Sequence, residues 1–255
     1  MNYRPAPDLL NDRIILVTGA GAGIGRCAAI SYAALGATVI LLGRTEEKLN
    51  RVYDDIVAAG NPEPVIVPMD LQGAEEEAFF DLAAQIREHF GRLDGLLHNA
   101  SILGQRTPIS EYNPATWQAV MQVNVNAPFL LTQALLPLLE AGNHASVIFT
   151  SSGVGRKGRA FWGAYAVSKF ATEGLMQTLA DEYEGLGSIR VNAINPGGTR
   201  SKMRSQAFPA EDPSTLPEPQ QIMPLYLYLM GPDSQDIHGQ SIDAREFCPI
   251  TTASP

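Results

Sequence analysis

Tyr165 and Lys169 are one helical turn apart, and Ser152 lies thirteen residues before the tyrosine. Side chains at four-residue helical spacing leave the same face, so the phenol and the ammonium can interact directly. A phenol with a reference pKa near 10 is a poor base at neutral pH. An ammonium about 5 Å away, at an effective dielectric near 20, would stabilise the phenolate by roughly 3 kcal/mol, or about two pKa units. Such a pair can move a proton, and a nearby hydroxyl can hold the oxygen on which that proton lands. A Tyr-x-x-x-Lys spacing arises by chance roughly 0.1 times in a chain of this composition, so it needs independent support.

That support begins in Thr18-Gly19-Ala20-Gly21-Ala22-Gly23-Ile24-Gly25, which follows the apolar run 14–17 and leads into a helix near Arg26. Glycines at such a turn let backbone N–H groups approach a pyrophosphate, and the helix N-terminus adds partial positive charge. The plainer reading is a tight strand-to-helix connection. No Gly-Lys-Ser/Thr follows, which excludes a triphosphate P-loop. The second strand ends in Leu42-Gly43-Arg44-Thr45. A carboxylate there would bind a ribose 2′-hydroxyl, whereas a guanidinium accommodates a 2′-phosphate. NADP(H) is therefore favoured over NAD(H), the alternative being that Arg44 only solvates a strand end.

These groups need a scaffold. Apolar, mostly β-branched or aliphatic runs recur at 14–17, 38–42, 65–67, 95–97, 146–150, 190–194 and 240–242. Between them, segments 26–35, 46–59, 75–90, 114–140 and 164–184 carry apolar residues at intervals of three and four, as helices covering a sheet do. The alternation predicts an α/β fold: one doubly wound Rossmann domain spanning 1–255, with a mainly parallel seven-stranded sheet flanked by helices. Segment 208–219, with Pro209, Pro213, Pro217 and Pro219, reads as a surface connector or part of a lid, and 199–220 as the substrate loop. Residues 244–255 read as a loosely held tail.

Composition narrows the function. The chain is 45% hydrophobic and 18% charged, and 27 acids against 18 bases give a net charge of -9. That balance excludes nucleic acid and argues against an anionic membrane surface. Residues 1–12 lack the apolar core of a secretory signal and nowhere do 18 apolar residues run together, so the expected location is cytoplasmic with no membrane association. Cys27 and Cys248 form no metal or disulfide spacing, Cys27 reads as a packing residue, and no metal site is expected.

Taken together, the glycine turn, Asp70, Asn99-Ala100, Asn124, Ser152, Tyr165-x-x-x-Lys169 and Asn195-Pro196-Gly197 resemble the short-chain dehydrogenase/reductases in their compact single-domain branch, over about residues 12–243. Segments 11–18, 121–139 and 181–203 are most similar to the bacterial YciK-type oxidoreductases. The resemblance implies a carbonyl/alcohol oxidoreductase with Tyr165 as general acid/base. Lys169 would lower the phenol's pKa and hold the nicotinamide ribose, Ser152 would bind the substrate oxygen, and Asn124 would support a relay water at a helix break. Asn126 competes with Asn124 and Ser151 with Ser152; Ser152 is preferred on the family's serine-to-tyrosine separation. Cofactor contacts are implied for Gly19, Gly21, Gly23, Ile24, Gly25, Arg44, Asp70, Leu71, Asn99, Ala100, Tyr165, Lys169, Pro196, Gly197, Thr199 and Ser201, with Asp70 on the adenine. A homodimer or homotetramer built on the long helices is also implied. Two departures, Ser101 after Asn-Ala and Asp243-Ala244-Arg245 in place of Asp-Gly-Gly, bear on local geometry.

Arg156, Lys157 and Arg159 before Phe161-Trp162 could suit an anionic substrate with an apolar body; a solvated basic loop is the plainer reading. The competing function is a cofactor-binding regulatory or scaffold protein without turnover. A serine hydrolase is excluded, because none of His89, His98, His144 and His238 stands in a nucleophile context and Ser151-Ser152-Gly153 is not a G-x-S-x-G elbow.

Overall fold

The computed structural model describes residues 3–247; Cys248 and the tail from 248 onward lie outside them. Seven strands form one sheet: β1 (Ile14–Thr18), β2 (Thr38–Gly43), β3 (Val65–Pro68), β4 (Gly95–His98), β5 (Ala145–Thr150), β6 (Ile189–Asn195) and β7 (Ser241–Asp243), in the order β3-β2-β1-β4-β5-β6-β7. Every pairing is parallel, so the sheet is more uniform than the mainly parallel one expected. The apolar runs are continuous because both faces are covered. Successive residues of β1 serve opposite layers. Ile14 and Leu16 pack with Phe79, Leu131, Leu135 and Met176, while Ile15 and Val17 pack with Tyr32, Leu49, Ile222 and Tyr226.

The first layer is built by α3 (Glu76–Phe90), α5 (Ala127–Glu140) and α6 (Gly163–Glu182), the second by α1 (Gly23–Ala33), α2 (Glu46–Ala58) and α8 (Pro219–Met230). Chain order reverses between β1 and β4, which opens a crevice at their C-terminal ends, the usual ligand position in this architecture.

Three local features depart from the sequence expectation, and the helix break implied at Asn124 takes a defined form. The segment 114–140 is not one regular helix: α4 (Pro114–Met121) runs into a π-helical turn, Gln122–Asn126, before α5 begins. Its length and apolar character would suffice to cross a membrane, yet its apolar residues Leu131, Leu135, Leu138 and Leu139 pack within the layer above the sheet. Helix α1 starts at Gly23 rather than Arg26, so the last glycines of the turn are already helical. One helix, α7 (Lys202–Ala207), falls within the region expected to be loop, and α8 begins at its end. Pro219 occupies the first turn of α8, where a missing N–H is harmless, and Glu218 and Gln221 cap it reciprocally. Between them, 208–218 stays irregular apart from one tight turn, Pro213–Thr215. Finally, Ala244 and Phe247 are buried and the Ala244 N–H donates to the Asn195 carbonyl at 2.9 Å, so this end of the expected loose tail is fixed.

Candidate active site

The crevice is held open by Thr18. Its hydroxyl accepts from the N–H groups of Asn99 (2.9 Å) and Ala100 (3.0 Å), and the Asn99 amide donates back to the Thr18 carbonyl at 3.2 Å. These bonds knit the end of β1 to the end of β4. Gly19 adopts a positive φ of 67°, and a Cβ there would lie 3.0 Å from Ala100 Cα. Gly25 is different: a Cβ would sit 2.4 Å from the Gly19 carbonyl oxygen, beneath the turn. Gly25 therefore lets α1 pack against the turn and does not face the crevice, whereas Gly19, Gly21, Gly23 and Ile24 border it.

On the β2 side a cavity of about 310 Å³ brings together Gly21, Arg44, Asp70, Leu71 and Ala100. Arg44 is exposed at its rim, beside Lys48 of α2, a second cation that sequence spacing did not single out. The Asp70 carboxylate accepts from the Gln72 N–H at 3.2 Å. Ser101 borders both this cavity and the next, and its buried hydroxyl has no protein partner. An orphaned buried hydroxyl at that junction fits a ligand supplying the missing bond.

On the other side, about 330 Å³ is bounded by Asn99, Ser152, Tyr165, Lys169, Pro196, Gly197, Thr199 and Ser201. The adjacent serines point apart. Ser151 donates its hydroxyl to Glu173 of α6 and its N–H to the Ile194 carbonyl at 2.7 Å, leaving Ser152 beside Tyr165. Thr199 donates to the Pro196 carbonyl at 2.9 Å, and Ser201 caps α7 by accepting from the Arg204 N–H at 3.2 Å.

Lys169 Nζ donates to the Thr150 carbonyl at 2.7 Å and stands 5.6 Å from the centre of the Tyr165 ring. Burial dominates both ionisations. It pushes the Tyr165 phenol up to about 12 against the neighbouring Ser152 hydroxyl, which favours the anion. It pulls Lys169 down to about 8, opposed by the charge of Glu173. In the cleft as it stands, desolvation sets the direction of both shifts.

Asn124 lies in the π-helical turn, 3% exposed. Its Oδ1 accepts from the Ile102 N–H at 2.9 Å, and its Nδ2 donates to the Ile102 carbonyl and to Ser168 Oγ, both at 3.0 Å. The side chain clamps the loop after β4 to α6, whereas Asn126 is exposed and bonds only to Gln122. Asn124 also borders a void of about 10 Å³ behind Lys169, the size of one water, together with His98 and Thr172. His98 is neutral, pushed down to about 3 by burial. Because Thr132 donates its hydroxyl proton to the Pro128 carbonyl, the 2.8 Å contact to it is made by a protonated His98 Nε2.

Beyond Tyr165 the wall is apolar, made by Leu103, Trp162, Met203 and Ala207. Arg106 lies 4.3 Å over the Trp162 ring, faces Phe208 and donates to the Ala207 carbonyl, tying α7 to the loop after β4. Arg204 pairs bidentately with Glu211 at 2.6 Å. The basic segment before Trp162 does not enter the cleft. Arg156 bonds Asp243 at 2.8 Å and Ser241 at 2.6 Å, while Lys157, Arg159 and Phe161 are exposed. On the Tyr165 side of the crevice the bordering cations among the described residues, besides Lys169, are Lys202 and Arg204. Among the described residues no cluster of three or more metal-ligating side chains occurs.

The family model described as short chain dehydrogenase matches residues 13–212. The chain is 59% identical over 245 residues to the uncharacterized oxidoreductase YciK of Escherichia coli K12, covering 96% of each. Two solved structures are similar at 59% identity and a TM-score of 0.92, each covering 94% of this chain and 100% of the other. One is a short chain dehydrogenase from Shigella flexneri complexed with NADP, the other a short chain dehydrogenase from Escherichia coli CFT073 complexed with NADPH.

Proposed function

The chain belongs to the short chain dehydrogenase family, and from that premise we propose that it is an NADP(H)-dependent oxidoreductase interconverting a carbonyl and an alcohol. One observation carries the reading: Ser152, Tyr165 and Lys169 face the same crevice as the glycine turn, whose far end carries Arg44. Residues that fit the cofactor are Gly19, Gly21, Gly23 and Ile24 at the pyrophosphate, Arg44 and Lys48 at the 2′-phosphate, and Asp70 and Leu71 at the adenine. Asn99, Ala100, the orphaned Ser101 hydroxyl, Lys169, Pro196, Gly197, Thr199 and Ser201 fit its nicotinamide half. The relatives complexed with NADP and NADPH support the phosphorylated form. When bound, the nicotinamide supplies or accepts the hydride.

The protein's own groups handle the oxygen and the proton. Ser152 holds the substrate oxygen beside the phenol, and Tyr165, protonated at neutral pH, donates to it during reduction. The charge of Lys169 stabilises the phenolate left behind. Asn124 keeps the π-helical turn open beside the void behind Lys169, where one water would return the proton. Leu103, Trp162, Met203 and Ala207 call for an apolar substrate body, and α7 with residues 208–218 forms the lid over it. An intact proton-transfer set in a cofactor-sized crevice weighs against a silent scaffold. Phe129 of α5 and Val167 and Phe170 of α6, exposed at 48%, 42% and 47%, offer the apolar surface for a homodimer.

The test is NADPH consumption over a panel of apolar aldehydes and ketones. Tyr165→Phe should lose at least about 100-fold in kcat while binding NADPH unchanged by calorimetry. Parent-like turnover by that variant would sink the proposal.

A further inference from the structure

Glu173 lies one turn beyond Lys169 and two beyond Tyr165 on α6, 6% exposed. Its Oε1 accepts from the Ser151 hydroxyl and, at 2.8 Å, from Ser241 Oγ. Ser241 Oγ itself accepts from Arg156 Nη2 at 2.6 Å, so its own proton must go to Glu173. Arg156 Nε stands 3.6 Å from the same oxygen. Two hydroxyl donors and a guanidinium are the surroundings of a carboxylate, and a buried carboxylate persists only when compensated in this way. The network continues outward. Arg156 binds Asp243, the Asn195 amide donates to Asp243, and Asn195 Oδ1 accepts from the Gly197 N–H at 3.1 Å in the turn that borders the cleft.

Around Lys169 the charged and titratable groups can be enumerated. On its own helix stand Tyr165 and Glu173. From β4 comes His98, neutral, across the small void; from the π-helical turn, Asn124; from β5, the Thr150 carbonyl and Ser152. Arg156 and Asp243 lie beyond Glu173 and pair with each other, while Lys202 and Arg204 border the cleft from α7. Glu173, buried with Lys169 and one helical turn from it, is the carboxylate whose charge favours the ammonium.

We propose that Glu173 is a positioning residue: the buried counter-charge of Lys169, and the joint through which Ser151, Ser241 and Arg156 tie the reaction centre to β7 and the Asn195-Pro196-Gly197 turn. The proposal rests on the reading of Tyr165 and Lys169 as the proton-transfer pair. Lys169 contributes a field only while protonated. Desolvation works against that charge, and Glu173 opposes the desolvation. A merely structural Glu173 would hold β7 against α6 and leave the titration of Lys169 where it is.

The discriminating measurement is NADPH affinity by calorimetry as a function of pH. Parent protein should bind an anionic cofactor less well above about pH 8, as Lys169 discharges. Glu173→Gln keeps the shape and removes the charge, so this break should move to lower pH by about one unit. Glu173→Asp should keep the break near its parent value. Arg156→Met, at a side chain one-third exposed, keeps Glu173 and removes the opposing cation, so its break should move to higher pH. Arg156→Met also carries the test should Glu173→Gln fail to fold. Weaker binding at every pH with an unmoved break would overturn the proposal, as would an unmoved break in Arg156→Met. Should Tyr165→Phe turn over while Glu173→Gln still shifts the break, the proton-transfer reading fails and the Glu173–Lys169 coupling stands.

Discussion

Lys169→Met should abolish turnover and at the same time make the protein more stable at neutral pH. Burial lowers the Lys169 pKa from 10.5 to about 8. At 1.36 kcal/mol per unit, keeping the side chain charged in the folded state costs about 3 kcal/mol. Methionine has nearly the same length and no charge, which removes that cost. It also leaves the Thr150 carbonyl, which accepts from Nζ at 2.7 Å, without its donor, which costs about 1–2 kcal/mol. The net gain is about 1–2 kcal/mol, or a rise in Tm of about 2–6 °C for a chain of this size. Glu173 keeps Ser151, Ser241 and Arg156 after the change, so its charge is not stranded. The pH dependence gives the signature. For a base whose folded pKa lies below its unfolded one, the cost is complete below the folded value and vanishes above the unfolded value. The advantage of Lys169→Met should therefore be full below about pH 8 and disappear by about pH 10. Scanning calorimetry on both proteins across that range checks it. A variant that melts below the parent at pH 7, or whose difference is independent of pH, would refute the reasoning.

Replacing Gly43→Asp and Arg44→Ala together should turn cofactor preference from NADPH toward NADH. The lost guanidinium–phosphate bond is worth about 1.5–3 kcal/mol, or roughly 10- to 100-fold in the ratio of dissociation constants. The new side chain at position 43 meets Leu49 Cδ2 at 3.1 Å, a flexible neighbour, so folding should survive, and an unaltered ratio would remove Arg44 from the phosphate site. Sedimentation at low micromolar concentration should show a dimer or tetramer in the parent and a smaller species in Phe170→Asp, which places a charge on the exposed α6 face. A monomeric parent would sink the oligomer.

The sheet was legible because both of its faces are covered: a strand buried on two sides leaves an unbroken apolar run, as in Ile14–Thr18 and Ala145–Thr150. Helix α8 was hidden by prolines at 217, 219 and 224, two of which fall before or within its first turn, where they do no damage. The π-helical turn leaves no mark in apolar spacing, since one extra residue in a long helix shifts the periodic face only slightly. Only the resemblance's serine-to-tyrosine separation favoured Ser152 over Ser151; the residue types alone could not separate them. Neighbouring residues leaving a strand point to opposite sides, and which side meets Tyr165 depends on how β5 packs on α6. Arg156 shows the same limit for charge. Its partner Asp243 lies on β7, far along the chain, so one member of a segment whose plainer reading was a solvated basic loop is a structural tie, while Lys157 and Arg159 are exposed. The apolar wall at Leu103, Met203 and Ala207 is assembled from two distant segments, the loop after β4 and α7, and has no signature in either.

The placement of Tyr165 and Lys169 separates two roles that their free chemistry would blur. In water the phenol and the ammonium titrate close together, near 10 and 10.4, and either could pass its proton to solvent over the same range. Inside the cleft they move apart, to about 12 and about 8, because burial penalises phenolate and ammonium alike. Burial thus makes the phenol hold its proton more tightly and the ammonium less tightly. At neutral pH the lysine already holds its proton. In the proposed reaction Lys169 would therefore serve as a fixed charge beside the phenolate, while the Tyr165 proton goes to the substrate oxygen at Ser152. A fixed charge is useful only if it survives desolvation, and that is the part proposed for Glu173, one turn away and itself anchored by two serines and an arginine.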